Sequence, residues 1–477
     1  MMTEKIRGVP LCVDLDGTLS RSDSLWEAIL LLGRTRPGLL PRLPFWLLGG
    51  KAAFKARVAA SIKVDGLILP WDDLLLDYLR RPPVRPLYLV SGADEAIVAS
   101  VCRQLPLFAG YFASDGKTNL TGAAKAALLT RQFGEKGFDY AGNERKDFAV
   151  WARARSAIVV NAGAGVIRSA QRKFAVEAVI GESKLKMQLL LKCLRPHQWV
   201  KNLLVFVPLF TAHLMGQWSA LVLAGIGFVA FCGVASALYV FNDLVDLQAD
   251  RRHPHKRFRP LAAGAVTIPA GLMLLAASLG LGLGMGVFLG HAFAWTLLGY
   301  AALSGLYTAV FKRLPIVDVL VLGGLYTIRL VGGAAATGVV LSSWLLIFSL
   351  FLFLSLGLAK RYTELKTKKD NGGQDVVGRG YRPDDLELVS SLGIASGYIS
   401  TLVFALYITS GTVVALYAHP QVLWAFVVLL LYWVSRVWLI AHRGELHHDP
   451  IIFALKDRVS YGVLACALVV VYLAGPT

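Results

Sequence analysis

The chain has 477 residues, 56% of them hydrophobic, and a mean hydropathy of +0.57. That is too apolar for an ordinary soluble enzyme. The formal net charge of +18 fits a membrane protein with anionic substrates; it argues against a nucleic-acid partner, because the basic residues fall in loops between apolar runs.

Residues 1–180 carry scattered charge and read as a soluble domain, and residues 181–477 as a membrane domain. The first twenty residues hold no long apolar core, so no signal peptide is expected. Residues 9–19, Val-Pro-Leu-Cys-Val-Asp-Leu-Asp-Gly-Thr-Leu, read as a buried strand ending in two aspartates, Asp14 and Asp16, and a glycine. This places both acids at the C-terminal edge of a parallel sheet, where α/β sites form. Three further features follow in order. Leu87-Tyr-Leu-Val-Ser-Gly is a second strand ending in a hydroxyl, Ser91. Thr121-Gly-Ala-Ala-Lys puts Lys125 at a helix start. Phe138-Asp-Tyr-Ala-Gly-Asn-Glu-Arg-Lys-Asp is a strand followed by an acidic loop ending at Asp147. The five cysteines form no CxxC pair, so neither a disulfide framework nor a zinc site is expected, in keeping with a reduced cytoplasmic face.

From about residue 200, apolar stretches approach the ~20 residues that span a bilayer. We count roughly nine: 203–217, 220–241, 271–289, 291–311, 316–337, 342–359, 394–417, 421–441 and 459–476. The loops near 216–219, 289–292, 337–341 and 417–421 carry no Lys or Arg; those near 241–268, 312–315, 360–390 and 442–458 carry nearly all the charge. Lys and Arg mark the cytoplasmic side. The stretch Lys184-Leu185-Lys186 … Lys192 puts the N-terminal domain on that side too. Nine spans would leave the C-terminus outside.

The second span ends in Asn242-Asp-Leu-Val-Asp-Leu-Gln-Ala-Asp250. Carboxylates at a membrane edge are costly and usually functional. Helical spacing predicts Asn242, Asp246 and Asp250 on one face with Asp243 beside them. Converging carboxylates favour a hard cation such as Mg²⁺, which also binds phosphate oxygens. Arg251, Arg252, Lys256, Arg257 and Arg259 follow at once, so a diphosphate handled at the membrane surface is expected.

The four N-terminal motifs resemble those of the haloacid dehalogenase superfamily of phosphatases. The resemblance implies a Rossmann-like α/β fold with a helical cap. Asp14 would be the nucleophile and Asp16 the acid and base. Ser91 and Lys125 would hold the phosphoryl oxygens. Asp14, the backbone of Asp16 and Asp147 would bind Mg²⁺. Gly142-Asn143 stands where the family often has Gly-Asp, so the metal site loses a charge. A fold relic without activity is the alternative. Residues 20–85 fall where the superfamily inserts its cap, and Leu39–Leu48 is apolar and basic. Either a buried cap or one leaning on the membrane fits this stretch.

Asn242-Asp243-x-x-Asp246-x-x-x-Asp250 resembles the first signature of the UbiA superfamily of intramembrane prenyltransferases, an all-α polytopic bundle of about nine transmembrane helices. The second acidic motif of that superfamily is missing; the corresponding loop reads Leu358-Ala-Lys-Arg-Tyr-Thr-Glu-Leu365. Arg195-Pro-His-Gln-Trp-Val-Lys-Asn202, His253-Pro-His-Lys-Arg-Phe-Arg-Pro260, Lys360-Arg-Tyr-Thr-Glu-Leu365 and Asp449-Pro450 … Lys456-Asp457-Arg458 resemble the decaprenyl-phosphate phosphoribosyltransferase branch. That branch implies a bacterial inner-membrane enzyme with cytoplasmic sites. It would transfer 5-phosphoribose from phosphoribosyl pyrophosphate to a polyprenyl phosphate. Asp243, Asp246 and Asp250 would hold Mg²⁺, with Asn242 supporting. Lys201, Asn202, Lys256, Arg257 and Arg259 would bind the donor. Lys360, Arg361 and Tyr362 would bind the acceptor phosphate or the ribose 5-phosphate. The fused phosphatase would then remove the 5-phosphate and give an arabinosyl-donor precursor. A homo-oligomer stays open.

Other charges have plainer readings. Arg251, Arg252, Lys312 and Arg313 fit topology as well as function. Arg329, inside a span, is expected to face the bundle cavity or a partner. Gly280–Gly284 reads as close helix packing. A conventional aromatic prenyltransferase would predict a second acidic motif. A transport or lipid-binding scaffold with an inactive phosphatase would not need the acidic signature.

Overall fold

Leu11, Cys12 and Val13 form strand β1 and are all buried. Their side chains alternate between two apolar cores: Leu11 and Val13 join one, Cys12 the other. A strand buried on both faces is a central strand of a parallel sheet. The computed structural model bears this out over the residues it describes, which are 8–81, 85–182, 187–370, 380–446 and 453–475. The expectations for Lys184–Lys186 and for Asp449-Pro450 lie outside the described residues.

β2 (Leu87–Asp94), β3 (Gly110–Ser114), β4 (Asp139–Gly142), β5 (Ala157–Val160) and β6 (Val176–Ile180) complete a six-stranded sheet. Its order is β3-β2-β1-β4-β5-β6, with every pairing parallel. The order reverses at β1, so the crevice opens at the C-terminal end of that strand, where Asp14 sits. The helices around the sheet are α5 (Glu95–Gln104), α6 (Gly122–Phe133), α7 (Phe148–Trp151) and α8 (Ala164–Lys173).

Between β1 and β2 the chain inserts α1 (Ser24–Thr35), α2 (Leu43–Leu47), α3 (Lys51–Ala60) and α4 (Asp73–Leu79). Asp23 caps α1 by accepting from Leu25 N and Trp26 N. The expected cap is therefore helical. Its tip is not buried: the 3-10 helix Pro37–Arg42 and α2 bury no residue, and Phe45 and Leu48 are 70% and 86% exposed.

Two compact units form: Met1–Arg195 with Tyr239–Ala276, and Pro196–Leu238 with Ala277–Thr477. The division differs from a cut at residue 180. The reason is an apolar cluster in the first unit, where Trp26 and Leu30 of α1 pack with Leu190 of α9 (Met187–Leu194) and with Leu244, Leu247 and Leu261. Inside the same unit a fully buried Glu27 takes both guanidinium arms of Arg251, at 2.6 and 2.8 Å, and the Gln248 amide at 3.1 Å. Arg251, left open from sequence between topology and function, is thus a structural clamp.

The second unit is helical. α10 (Val207–Thr211), α14 (His291–Ala309), α15 (Val317–Thr337), α16 (Ser343–Asp370), α17 (Leu386–Ile408), α18 (Gly411–Val414), α19 (Trp424–Arg443) and α20 (Arg458–Ala474) lie in it. It also holds most of α11 (Trp218–Val245) and the later part of α13 (Ile268–Phe288). Among the described residues, six helices are long and apolar enough to cross a membrane: those on 218–245, 268–288, 317–337, 343–370, 383–408 and 420–443. The count of nine is corrected accordingly. The segment 203–217 is not one helix but a 3-10 helix, Pro196–Phe206, followed by the five-residue α10. α14 and the 17-residue α20 match expected stretches yet fall outside the six. Gly282 packs as expected: a Cβ there would stand 2.8 Å from the Ala230 carbonyl of α11.

Breaking a buried ion pair strands the remaining charge and costs about 3–5 kcal/mol. Glu27→Ala should therefore lower the thermal midpoint of the full-length protein clearly more than Glu135→Ala, whose partner is an exposed arginine. Equal midpoints for the two variants would remove the clamp from the argument.

Candidate active sites

The first site lies at the C-terminal ends of β1, β2 and β4. Asp14 Oδ1 accepts from Lys125 Nζ at 2.8 Å and from Leu15 N at 2.9 Å. Lys125 also donates to Tyr140 Oη at 2.8 Å, and Tyr140 donates to Asp147 Oδ1 at 3.1 Å. A buried relay therefore runs Asp14–Lys125–Tyr140–Asp147. Burial pushes Asp14 up to about 6; Lys125 works against that shift and Asp147 adds to it. Burial works against the charge on Lys125, but Asp14 and Asp147 hold it protonated above the ordinary lysine range. Asp16 Oδ1 accepts from Ser24 N at 2.8 Å, and burial, with Asp23 nearby, pushes it up to about 7. A nucleophile that is ionised and an acid that still holds its proton are what phosphomonoester cleavage needs. Ser91 is buried, and its Oγ accepts from Ala93 N at 3.0 Å.

The structure brings Asp14, Lys125 and Asp147 together and adds two groups that the motifs missed. Tyr140 lies two residues before Gly142 on a strand, where alternation alone makes it a core residue. Lys55 of α3 donates to Gly92 O at 2.5 Å and Asn119 Oδ1 at 3.1 Å, and it lines a small cavity with Asp16. Asp147, expected as a metal ligand, has its Oδ2 accepting from the backbone N–H groups of Asn143 and Glu144, at 2.9 and 3.0 Å.

Among the described residues no three His, Cys, Asp or Glu side chains are grouped to hold a metal ion. A different donor set is present. Asn143 Oδ1 is buried without a partner, one residue beyond the strand that pairs with β1. The Asn143 side chain also fills the space over Gly17, whose φ of +74° and crowded Cβ position both require glycine. The orphaned amide oxygen, the Asp14 carboxylate and the main-chain oxygen of Asp16 fit an oxygen-liganded cation with one charge fewer than a two-aspartate site.

The second cluster forms where α11 gives way to α12 (Leu247–Arg252). Backbone bonds from Asp246 N to Asn242 O and from Asp250 N to Asp246 O continue across the junction, at 2.9 and 2.8 Å. The grouping differs from the predicted face. Asp243 and Asp250, two turns apart, share Arg259 Nη1 at 3.0 and 2.7 Å, and Arg195 adds a 2.5 Å bond to Asp243. Asp246 turns to Arg34 of α1, at 3.5 Å. Asn242 is half-buried; Lys256 and Arg257 are exposed. Arg195 was part of a motif word without a role, and its stacking on Tyr239 at 5.1 Å now places it in the cluster.

In the second unit, Arg329 is buried as expected and donates to Asn202 Oδ1 at 2.8 Å and Tyr300 Oη at 3.1 Å. Lys201 stands over the Tyr326 ring at 5.7 Å. Arg361 is only 1% exposed, and its three nitrogens go to Asp318 at 2.6 Å, Glu364 at 2.7 Å and Tyr307 at 3.3 Å. Tyr362 is buried and bonds His442 Nδ1 at 3.0 Å. The structure thus commits Arg361 and Tyr362 to protein partners, while Lys360 is half-buried. The reason is Asp318, a buried acid 43 residues upstream of Arg361 that no local spacing reveals.

A family model, "UbiA prenyltransferase family", matches residues 203–456. The chain belongs to that family. An uncharacterized protein of Sinorhizobium fredii, y4nM, is 37% identical over 461 residues, covering 95% of this chain and 89% of its own length. The decaprenyl-phosphate phosphoribosyltransferase of Corynebacterium glutamicum is 37% identical over 193 residues, 39% of this UbiA-family chain and 57% of that enzyme. At the N-terminal end the apo structure of a phosphoserine phosphatase matches 37% of this chain and 94% of its own, with 14% identity and a TM-score of 0.27. A likeness at that score carries no argument; the parallel α/β fold of the N-terminal part rests on the sheet described above. Family membership and six apolar helices make this a multi-pass membrane protein.

Asp14 and Asp16 hold their protons more tightly folded than unfolded. Their contribution to stability is therefore complete below the unfolded value near 4 and is lost as pH rises through about 6 and 7. The melting temperature of the metal-free protein should fall between about pH 4 and 7, and Asp16→Asn should flatten that slope; an unchanged slope counts against the shifted acid. Asn143→Asp should restore the missing charge and cut the Mg²⁺ needed for half-maximal phosphatase activity by about tenfold. A variant with the wild-type requirement would exclude Asn143 from the metal site.

Proposed function

We propose that this protein transfers 5-phosphoribose from phosphoribosyl pyrophosphate to a polyprenyl phosphate and then removes the ribose 5-phosphate. One observation carries the reading. The carboxylates of Asp243 and Asp250 and the guanidinium groups of Arg195 and Arg259 meet at one point. They do so in a UbiA-family chain whose second acidic motif is replaced by Lys360-Arg361. Such a cluster suits a diphosphate donor, while Lys360 in place of an acid suits a phosphate acceptor. Likeness to a decaprenyl-phosphate phosphoribosyltransferase over residues of the C-terminal part supports the same donor and acceptor.

A lipid phosphate oxygen attacks the anomeric carbon, the bond to diphosphate breaks, and diphosphate leaves. The oxygen is already anionic near neutral pH, so positioning and charge supply most of the rate. Asp243, Asp246 and Asp250, with Asn242, would hold Mg²⁺, which when bound offsets charge on the leaving diphosphate. Arg195, Lys201, Asn202, Lys256, Arg257 and Arg259 would hold donor phosphates, and Lys360 the acceptor. Arg361 and Tyr362, with no free polar edge, would shape that wall. In the second step Asp14 attacks the 5-phosphate and Asp16 protonates the departing ribose oxygen. Asp16 then takes a proton from the water that cleaves the aspartyl-phosphate. Ser91 and Lys125 hold the phosphoryl oxygens. The reading sets both reactions at the cytoplasmic face of a bacterial inner membrane and yields a lipid-linked ribose fit to precede an arabinosyl donor.

The test supplies purified protein with labelled phosphoribosyl pyrophosphate, Mg²⁺ and a polyprenyl phosphate. Wild type should yield lipid-linked ribose and Asp14→Asn lipid-linked phosphoribose. Asp243→Asn should lower transfer by about 100-fold or more. No labelled lipid from wild type would discard the transferase and favour aromatic prenyl transfer or a lipid-binding scaffold. Phosphorylated lipid from both wild type and Asp14→Asn would leave the phosphatase with another substrate.

A further inference from the structure

A cavity of about 530 Å³ opens inside the first unit, against α1, the turn at 61–66 and α12. Its lining includes Leu31, Arg34, Arg36, Lys63, Gln248 and Arg252, and no acidic side chain. Arg36, Lys63 and Arg252 are exposed and make no ion pair among the described residues. Glu27, a buried acid bonded to the lining residue Gln248, is already paired with Arg251, and buried Asp250 is paired with Arg259. Arg34 is the one lining cation with an acid beside it, Asp246 at 3.5 Å. Four cations around a void repel one another, and an anion relieves that repulsion.

The position of the cavity narrows the choice of anion. The first residue of α1, Ser24, donates its N–H to Asp16, the acid of the phosphatase site. The last turn of the same helix carries Arg34, which reaches Asp246 and the Val245 carbonyl of the acidic segment. Ten residues of helix separate the two ends by about 15 Å. One sugar phosphate cannot touch both ends at once. It can rest at the cavity, beside the acidic segment, before it moves along α1.

We propose that this cavity holds the phosphate monoester of the lipid-linked phosphoribose between transfer and hydrolysis. The proposal rests on the function given above. Its ligand chemistry is a phosphate monoester on a pentose, held by Arg36, Lys63 and Arg252, with Arg34 shared between the ligand and Asp246.

The test reads the arginines directly. Full-length Asp14→Asn protein in neutral-lipid nanodiscs is treated with phenylglyoxal, and modification of Arg36 and Arg252 is followed by mass spectrometry. The probes are ribose 5-phosphate, lipid-linked phosphoribose accumulated in the disc from polyprenyl phosphate and phosphoribosyl pyrophosphate, and phosphatidylglycerol. The two phosphoribosyl probes should each slow modification by about fivefold or more, the lipid-linked one at lower concentration. The double variant Arg36→Glu, Lys63→Glu should lose the protection of Arg252. Arg252→Ala, a milder change, should lose that of Arg36. In the Asp14-intact protein the double variant should accumulate lipid-linked phosphoribose. Protection by phosphatidylglycerol alone would overturn the proposal in favour of a simple anionic-lipid surface. Protection by free ribose 5-phosphate but not by the lipid-linked form would overturn the holding role, and no protection at all would overturn the site. Transfer activity is measured on the same samples. Transfer without protection rejects the cavity alone; protection by ribose 5-phosphate without transfer rejects the function above.

Discussion

Glu27 is a carboxylate fully shut away from water, and Arg251, Gln248 and the Ser22 hydroxyl together make that tolerable. The cap helix that carries Glu27 therefore cannot settle in its place without the segment that follows Asp246. This single contact makes the acidic motif part of the first unit, although 224 residues separate the paired side chains. The placement of α1 follows from it. One end of that helix supports Asp16, the other reaches Asp246, and the basic cavity opens along its side.

The same physics recurs at three clusters, where a cation sits between polar groups that include at least one carboxylate; buried Arg329 is met instead by Asn202, Tyr300 and a backbone carbonyl. Lys125 stands between Asp14 and Tyr140, Arg259 between Asp243 and Asp250, Arg361 between Asp318 and Glu364. What separates them is access. The side chains of Arg195 and Arg259 are 23% and 31% exposed, so an incoming diphosphate can exchange with their carboxylate partners. Arg361 is sealed at 2% and all its nitrogens are taken, so exchange there would strip buried Asp318 of its cation. The first kind of pair is suited to binding, the second to holding helices α15 and α16 together.

In the α/β part, burial sets the chemistry. Desolvation raises Asp14 and Asp16 together, and Lys125, bonded directly to Asp14, works against that rise there. Asn143 gives this site a neutral amide oxygen where a carboxylate would bind a cation more strongly.

The amino-acid sequence by itself determined the class of each half. Apolar run length, the alternation of charged and uncharged loops, and four motifs in fixed order are local patterns, and a local pattern survives without knowledge of the fold. They were enough for the parallel sheet, the helical cap, the membrane helices and the identity of Asp14, Lys125 and the acidic signature. Run length also misled once: 203–217 is apolar enough for a span, but Pro208 lies within it and the chain there is split between a 3-10 helix and α10. Tertiary structure alone decided which acids share a cation. Helical spacing put Asp246 with Asp250, whereas Arg259 draws Asp243 to Asp250 and Arg34 draws Asp246 away. It also decided that Arg251 is a clamp, that Arg361 belongs to Asp318, and that four cations surround a cavity. Those outcomes depend on pairings across tens to hundreds of residues, where charge neutralisation and exclusion of water act through space and leave no periodic trace along the chain.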